Sequence, residues 1–514
     1  MEGRLSRSIS FSIFSRSLFK EFLFFTIMKV SILAFSCALL SCAAFGEEAY
    51  PATVEEGFES LFNGKDLRGW YGSTIFAVEP YQTTLSTGEI REENVLACVE
   101  RPGRIDRGNL LTRKEYENFV LRFEVLLPEN GDCGIGLRVP NPTVNAAFEG
   151  MGEVQILDDG GSKFYDAESR TPKLKAPYRY SGSVFGIAAS RRDNVNKQIW
   201  GKEKNFAGNG SYMRRCGLWN FFEIRVIGSE IEVVVNGTLV TKTNVAGLKG
   251  DGDTLDARSH LGLQNKKGHI AILGASTNVL LRNIRVLELP KDAKMDGVCP
   301  KMTTKEIAGF TAYFNGDAEQ LKTMWKGVTP SRKFDNPLVR AAADPDTLLE
   351  MQRTADFARD AHWHVKNGVL FFDGFRGGYS LATAKDFKDF ELWADWRLLS
   401  VTGDSGLYLR GSPQVQIWDA HNQWGIGSGG LYNNVKNPSR ALAIADRLVG
   451  DWNRFHVIMR GEKVTVYLNG VLVVDGVTLE NYWNRAQAIF PEGQIELQCH
   501  GDPIEWRNIF IREL

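Results

Sequence analysis

Self-similarity constrains this chain more than any other feature of its sequence. Short blocks of the first half return in the second half, and they keep their order. The blocks pair residues 61–64 with 313–316, 118–124 with 389–395, 133–138 with 405–410, 153–158 with 414–419, 219–220 with 452–453, 236–237 with 469–470, and 282–284 with 507–509. Because chance matches would not keep their order, the pattern indicates a duplication and predicts two domains of one fold.

The boundary between the two copies follows from composition. A chain of 514 residues is too long for a single hydrophobic core, so two domains of roughly 200 residues each are expected. Pro290, Asp292 and Pro300 interrupt the apolar alternation and are typical of a linker. We therefore place a first repeat at 55–289, a linker at 290–308 and a second repeat at 309–514.

Period-two alternation dominates both repeats. Phe222–Val226 and Phe455–Met459 alternate as half-buried strands do. Asn236-Gly237 and Asn469-Gly470 each stand between two apolar runs, where Asn-Gly favours a type I′ hairpin. Helical patterns are confined to short pieces near Lys305 and Asp346. The predicted fold class is all-β, with two tandem antiparallel sandwiches or jelly rolls.

The N-terminal 46 residues are set apart as an upstream extension and a signal peptide. Met28-Lys29 and the apolar run from Val30 to Leu40 have the form of a secretory signal, and the run is too short to span a bilayer. Cleavage before Cys42 would give a lipoprotein, and cleavage after Gly46 a soluble product. The sequence thus predicts an exported protein that is periplasmic, anchored at the cell surface or secreted.

Charge and cysteine content exclude several classes of partner and site. Lys and Arg number 61 against 62 Asp and Glu, so there is no overall field for nucleic acid or an anionic membrane. Membrane contact is expected only through the signal or a lipid anchor at Cys42. The remaining cysteines form no C-x-x-C pair and no zinc pattern, although Cys98 and Cys133 could bridge in an oxidising compartment.

The repeated blocks resemble the 3-keto-disaccharide hydrolase family. The resemblance rests on Ser405–Gly411, Gln414–Asp419 and the ending Leu497–Gly501 in the second repeat, and on Gly134–Arg138 and Glu153–Asp158 in the first. It implies a concanavalin-like jelly roll in exported bacterial proteins. It also implies a carbohydrate partner and cleavage of glycosides whose glucose ring is a ketone at carbon 3. Such chemistry needs a base near C2 and a donor that stabilises the enolate oxygen.

Candidate site residues come from the strands of these blocks and from their ends. Residues two apart in a strand share a face, which groups Glu153 with Gln155 and Gln414 with Gln416. The predicted catalytic residues are Glu153, Asp158, Arg138, Lys266, Asp419, Arg410 and His500. The predicted substrate-binding residues are Gln155, Gln264, Gln416, Gln498, Tyr408 and Trp424.

Structural interpretations compete with each of these assignments. The arginines and acids could form ion pairs, the glutamines could be paired within the sheet, and a lone histidine is more often structural. Most tryptophans, including Trp70, Trp325, Trp363 and Trp418, are expected in the cores. No cofactor is certain, but oxygen ligands such as Glu153, Asp158 and Asp419 could accept a divalent cation such as calcium.

The two repeats differ at their titratable positions. Gln414 stands where the first repeat has Glu153, and we align Gln264–Gly268 with the block at Gln498, which sets Lys266 against His500. This divergence favours one catalytic and one binding copy, with Glu153 favouring the first repeat for catalysis. The alternative is a non-catalytic carbohydrate-binding or surface scaffold protein that uses the same sheets.

Overall fold

The computed structural model describes residues 57–85, 88–99, 108–166, 168–169, 171–192, 210–275, 278–295, 306–328, 337–375, 379–422 and 426–514. These residues belong to one compact unit. The predicted signal with Cys42, the central part of the linker and Trp424 lie outside the described residues. None of the helices within these ranges is both long and apolar enough to cross a membrane.

The first repeat is a β-sandwich of an eight-stranded and a five-stranded sheet, with a two-stranded pair beside them. Its strands are β1 Glu59–Ser60, β2 Trp70–Gly72, β3 Phe76–Thr84, β4 Ile90–Cys98, β5 Gly108–Tyr116, β6 Phe119–Leu126, β7 Asp132–Val139, β8 Gly152–Leu157, β9 Tyr165–Asp166, β10 Thr171–Pro172, β11 Trp219–Ile227, β12 Glu230–Val235, β13 Thr238–Asn244, β14 Gly268–Gly274 and β15 Val279–Glu288. A short helix α1, Ala146–Glu149, and a 3-10 turn, Pro177–Arg179, are added. The five-stranded sheet has the order β2-β5-β14-β7-β8.

The second repeat has the same two-sheet architecture. Its strands are β16 Thr311–Phe314, β17 Trp325–Gly327, β18 Trp363–Lys366, β19 Val369–Phe372, β20 Leu381–Thr383, β21 Phe390–Leu398, β22 Asp404–Leu409, β23 Ser412–Trp418, β24 Asn453–Arg460, β25 Lys463–Leu468, β26 Val471–Thr478, β27 Glu496–Leu497 and β28 Ile504–Glu513. Its helices are α2 Gln320–Thr323, α3 Pro337–Ala342 and α4 Pro345–His362. The five-stranded sheet, β17-β20-β27-β22-β23, repeats the order of the first. Two tandem sandwiches of one fold are thereby confirmed.

Each core lies between the two sheets of its own repeat. The residues of β11 that point inward, Phe222, Ile224 and Val226, are fully buried with Phe123 and Leu121 of β6. In the second core Phe455, Val457 and Met459 take the corresponding places. The tryptophans predicted for the cores are buried: Trp70, Trp325, Trp363 and Trp418. Strand alternation thus arises because one face of each strand is excluded from water.

Both predicted Asn-Gly hairpins are present. Asn236 and Gly237 have φ of 46° and 84°, and Asn469 and Gly470 have φ of 52° and 85°. Positive φ at both central residues defines the type I′ turn, whose twist matches that of the flanking strands. Asn236 Nδ2 also donates to Asn220 Oδ1 over 2.8 Å, and Asn469 Nδ2 donates to Asn453 Oδ1 over the same distance.

The helix near Asp346 is longer than the sequence predicts. α4 runs for 18 residues and begins at an N-cap, Asp344, whose Oδ1 accepts the Thr347 N–H over 2.9 Å. It packs on the edge strand β17, where the backbone N–H of Gly327 donates to Asp356 Oδ1. Only three of its residues are buried, which explains why its apolar pattern is weak.

The two repeats meet in a buried contact that is centred on Asp451. Asp451 Oδ1 accepts from Arg122 Nη1 at 3.0 Å and from Arg285 Nε at 3.4 Å, and both arginines come from the first repeat. The Asp451 side chain is fully buried. Around this cluster the first repeat contributes Val95, Leu126, Trp219 and Phe221, which pack with Val401 and Val449 of the second repeat. The repeats are therefore joined by buried charge pairs as well as by apolar surface.

Candidate active site

The outward side of the five-stranded sheet in the first repeat is called the first face. Along β7, Cys133, Ile135 and Leu137 enter the core, so Asp132, Gly134 and Gly136 point outward. Along β8 the same parity sends Val154 and Ile156 inward, and it leaves Glu153 and Gln155 on the first face. The predicted grouping of Glu153 with Gln155 is confirmed.

Three polar side chains form one half of the first face. Gln155 Nε2 donates to Asp132 Oδ1 over 2.7 Å. A Cβ atom placed on Gly134 would overlap Oε1 of Glu153, so the carboxyl group lies directly over the glycine backbone. Burial raises the pKa of Glu153 to about 8, and the negative charge of Asp132 adds to the rise. Glu153 is therefore a carboxyl group that exchanges its proton close to neutral pH.

The other half of the first face is apolar. Leu111 and Ala271 are buried there beneath Tyr71 and Leu273, which are only partly buried. A Cβ atom on Gly136 would lie 3.0 Å from Leu273 Cδ1. The first face thus combines a carboxyl and amide half with an apolar half, and two glycines lie between them.

The outward side of the five-stranded sheet in the second repeat is called the second face, and Gly406 takes the place of Gly134. Gln416 Nε2 donates to Asp404 Oδ1 over 2.8 Å, as Gln155 does to Asp132. Gln414 in turn donates to Gln416 Oε1. An aspartate and glutamine pair beside a glycine is therefore common to both faces.

His500 adds a titratable group to the second face. Its Nδ1 lies 3.5 Å from Asp404 Oδ2, and the imidazole side chain is 49% exposed. Burial raises the pKa of Asp404, while the charge of His500 and the Gln416 hydrogen bond counteract the rise. An exposed imidazole beside a largely buried carboxylate is an arrangement that can move protons.

Polar side chains continue across the rest of the second face. Gln498 Nε2 lies 3.4 Å from the Tyr408 hydroxyl. Its Oε1 is buried and has no hydrogen-bond partner within the described part of the chain. A Cβ atom on Gly406 would lie 3.0 Å from this oxygen. Lys326 lies on the edge strand β17 and is aligned across the sheet, through Ala382, with Glu496. Burial lowers the pKa of Lys326.

Strand pairing corrects the alignment of Gln264 and Lys266 with the Gln498 block. β14 pairs with β7 so that Leu273 is opposite Gly134, whereas Gln498 hydrogen bonds to Gly406. Leu273 is therefore the counterpart of Gln498, and Ala271 is the counterpart of Glu496. Gln264 is exposed and donates to the Val245 and Leu248 carbonyls, and Lys266 is exposed in the turn before β14. The structure does not bring either residue to the first face.

The predicted arginines also lie away from the two faces. Arg138 has a φ of 48°, which turns its side chain under the sheet, where it donates to the Glu117, Gly228 and Asn265 carbonyls. Arg410 has a φ of 51° and donates to Asp389 Oδ1 over 2.8 Å. Parity along the strand fails at both residues because each one leaves the extended conformation. The predicted role in holding an enolate oxygen does not fit these positions.

Asp158 and Asp419 hold turns at the ends of the faces. Asp158 Oδ2 accepts the Asn130 N–H and Asp419 Oδ2 accepts the Thr402 N–H, each over 2.9 Å. Those turns lead directly into Asp132 and Asp404. Burial raises the pKa of Asp419 to about 6. Neither aspartate points to the face that it supports, and the described residues contain no group of three or more His, Cys, Asp or Glu placed to hold a metal ion.

A connection between the repeats supports the second face. Asn422 donates to Asp419, and Arg282 of the first repeat donates to Asn422. Arg91 of the first repeat donates to the Ala420 carbonyl over 2.8 Å. The turn before Asp404 is therefore positioned in part by the first repeat.

Sequence reasoning missed Asp132, Asp404, Glu496 and Lys326. The signal for the first two was available, because Asp precedes Cys133-Gly134 and also Ser405-Gly406. The repeated blocks begin one residue too late to include it. Lys326 and Glu496 have Tyr71 and Ala271 as structural counterparts, so no repeat could reveal them.

The chain is thus a tandem β-sandwich protein in which each sandwich has polar side chains on one sheet face. Comparison with known protein families identifies the family to which the chain belongs. The family model described as the 3-keto-alpha-glucoside-1,2-lyase-like domain matches residues 57–287 and 309–512. The chain belongs to this family and contains two copies of its domain. A comparison with the curated proteins found no significant match.

Several solved structures are similar to parts of the chain. Two are crystal structures of proteins from Parabacteroides distasonis described as candidate glycosyl hydrolases. One is 22% identical with a TM-score of 0.32, and covers 45% of this chain and 99% of its own. The other is 26% identical with a TM-score of 0.30, and covers 40% of this chain and 84% of its own. A carbohydrate-binding module from Bacillus subtilis is 15% identical with a TM-score of 0.19, over 26% of this chain and 81% of its own.

Proposed function

We propose that this protein is an exported enzyme that cleaves glycosides whose glucose ring carries a ketone at carbon 3. One observation supports the proposal above others. Each face keeps an aspartate and glutamine pair beside a glycine, and each places a different proton-exchanging group next to that pair: Glu153 in the first repeat and His500 in the second. Family membership supports the choice of substrate.

In the first face, the proposed base is Glu153. The C3 ketone acidifies the C2 proton, and the Glu153 carboxylate removes it. The C2–H electron pair forms a C1–C2 double bond while the C1–O bond breaks, and the departing oxygen takes the proton that Glu153 has accepted, which restores the carboxylate. Addition of water across the new double bond then completes a net hydrolysis. A pKa of about 8 makes Glu153 a stronger base than an ordinary carboxylate, and the fraction of its basic form grows as the pH rises towards that value.

In the second face, His500 and Asp404 are proposed to exchange the proton. His500 is the more exposed member and Asp404 the more buried one, at 49% and 16% side-chain exposure. A second function for this repeat, sugar binding without catalysis, is favoured by Gln414. This amide occupies the position beside Gln416 at which the first face has Glu153. An amide cannot accept the C2 proton. If His500 is not a base, this repeat acts as a sugar-binding module, because its amides and the Tyr408 hydroxyl suit the hydroxyl groups of a sugar.

The experiment uses the full chain, because Asp451 and its arginine partners join the repeats and separated halves would expose them. Turnover of a 3-keto-disaccharide is measured for the wild type, Glu153→Gln, His500→Ala and the double variant. Glu168→Gln and His364→Ala are matched controls at exposed positions. Loss of a general base is expected to lower the rate of its own site by about 10²–10⁴-fold.

The outcomes separate the two functions. Loss in both single variants, and more loss in the double variant, supports two active faces. Loss in Glu153→Gln alone makes the second repeat a binding module. Sugar binding without turnover in the wild type would reject the enzyme and leave the binding protein.

Export through residues 1–46 is part of the proposal. The measurement is incorporation of a palmitate analogue into the wild type and into Cys42→Ala. A lipoprotein incorporates label only in the wild type, whereas a soluble periplasmic or secreted product incorporates none. Retention of the uncleaved chain in the cytoplasm would contradict export.

A further inference from the structure

The two faces differ most along one row of side chains that crosses the sheet. In the first repeat the strand register aligns Tyr71 with Leu111 and Leu111 with Ala271. In the second repeat the same register aligns Lys326 with Ala382 and Ala382 with Glu496. The next outward position of the same strand is Leu273 in the first repeat and Gln498 in the second. The clearest contrast is at two positions, where the first face has the apolar Ala271 and Leu273 and the second face has Glu496 and Gln498.

On the first face, the apolar row adjoins the proposed base. Glu153 lies over Gly134 and Leu273 lies beside Gly136. These glycines are two residues apart on one strand, which separates them by roughly 7 Å, about the size of one sugar ring. A ring held at Glu153 would therefore direct the group on C1 towards the partly buried Leu273 side chain and the ring of Tyr71. The Arg113 guanidinium lies 5.9 Å from the centroid of that ring, so the apolar surface here comes from Leu273, Ala271 and the Tyr71 ring face.

On the second face, the equivalent space is lined by hydrogen-bonding groups. Gln498 Oε1 is a buried acceptor that lacks a partner among the described residues, so a hydroxyl donor from a ligand would satisfy it. The Tyr408 hydroxyl lies 3.4 Å from Gln498 Nε2, and Lys326 extends the row. A hydroxylated unit is recognised by such a surface, whereas an apolar group would leave these polar atoms unpaired.

We infer that the two faces accept different leaving groups on the same oxidised sugar. The first face takes an aryl or alkyl group on C1, and the second face takes a second sugar. This inference rests on the proposed function, since it concerns the leaving group of that reaction. The bond that breaks is the C1–O bond in both cases, and only the surface that receives the departing group differs. A duplicated domain thereby extends one chemistry to two substrate classes.

The test exchanges the two counterpart residues in chains that retain one working site. Leu273→Gln is made in the His500→Ala background, and Gln498→Leu in the Glu153→Gln background. Each protein is assayed with an aryl 3-keto-glucoside and with a 3-keto-disaccharide of the same anomeric configuration. Leu273→Met serves as the conservative control, and the unfolding midpoint of each variant checks its folding.

The expected readout is the ratio of kcat/KM for the two substrates. The chain with only the first site should prefer the aryl substrate, Leu273→Gln should lower that preference about tenfold, and Leu273→Met should retain it. Gln498→Leu should shift the second site in the opposite direction. Equal ratios at the two sites, or ratios that the exchanges leave unchanged, would overturn the inference.

Failure of the proposed function would look different. If neither compound is turned over by any variant, the reaction is rejected. The same two compounds then serve as ligands, and the Kd ratio replaces the kcat/KM ratio. A preference that follows Leu273 and Gln498 in binding would keep the inference about recognition, and equal Kd values would remove it.

Discussion

The scaffold of the two repeats is conserved between them, whereas their open faces are not. Asn236 and Asn469 form the same hairpin turn. Asn283 and Asn508 have φ of 52° and 48°, and they donate to Glu124 and Asp395 at matching places in the strand register. On the faces, by contrast, the aspartate and glutamine pair is kept while most of its neighbours change. Repetition within this chain therefore marks mainly residues that hold the fold, whereas the proposed bases, Glu153 and His500, stand at positions where the repeats differ.

The support of the two faces differs as well. Asp132 follows a turn that is held by Asp158 of the same repeat. Asp404 follows a turn held by Asp419, which is linked through Asn422 to Arg282 of the first repeat. The turn before the first face is held by a residue of the same repeat, and the turn before the second face is held in part by the neighbouring repeat. The comparison can be tested at the contact between the repeats, at the kept arginines Arg138 and Arg410, and at Glu153.

The largest effect is expected from removal of the buried carboxylate between the repeats. Asp451→Ala leaves Arg122 and Arg285 without that partner in a buried contact, and Arg285 is fully buried. Loss of one partner of a buried ion pair costs about 3–5 kcal/mol. The free energy of unfolding is measured by urea denaturation, with Asp475→Ala at an exposed position of the same repeat as control. Equal stability of the two variants would show that the contact does not hold the repeats together.

Much of the fold could be predicted from the sequence because its causes are local. Alternation along Phe222–Val226 records the burial of one strand face, and Asn236-Gly237 specifies the hairpin by its backbone preference. The length of α4 could not be predicted, since only three of its 18 residues are buried and its outer side carries no apolar period. The contact at Asp451 joins residues more than 160 positions apart, and no local pattern records it.

The candidate site could be predicted only where strand parity holds. Glu153 and Gln155 share the first face as alternation requires. Parity failed at Arg138 and Arg410, because positive φ rotates each side chain out of the strand pattern. The wrong counterpart was assigned to Gln498 because Leu263-Gln264 resembles Leu497-Gln498 in sequence, whereas the structural counterpart, Leu273, is apolar and does not resemble an amide. A site that has diverged cannot be aligned by similarity.

A smaller loss of stability is expected at the two kept arginines, and it tests whether they are scaffold. Arg138→Ala removes the donor from three carbonyls, whereas Arg410→Ala removes it from Asp389 and from the Phe490 carbonyl. An unsatisfied buried group costs about 1–3 kcal/mol, so Arg138→Ala should be the more damaging. Unfolding is measured against Arg179→Ala, an exposed control.

The catalytic readout distinguishes structure from chemistry at these arginines. Turnover per folded molecule should remain that of the wild type in both variants. A hundredfold loss in a folded Arg138→Ala chain would restore the arginine to the catalytic site and would undo the distinction between scaffold and face.

The last expected effect is a pH dependence that Glu153 gives to the first face. The pKa of Glu153 is raised from 4.5 to about 8 in the folded chain, so between these values the folded state holds a proton that the unfolded state releases. Its contribution to stability is therefore greatest at low pH and declines as the pH rises towards about 8. This decline is absent in Glu153→Gln, because an amide does not titrate. The natural amide Gln414 at the equivalent position of the second repeat likewise contributes no such decline. The difference in Tm between Glu153→Gln and the wild type should grow in favour of the variant from about pH 5 to about pH 9. Other buried acids, such as Asp446, titrate in both proteins and cancel in that difference.

A constant difference in Tm across this pH range would mean that Glu153 is an ordinary carboxylate. The main electrostatic contrast between the two faces would then disappear.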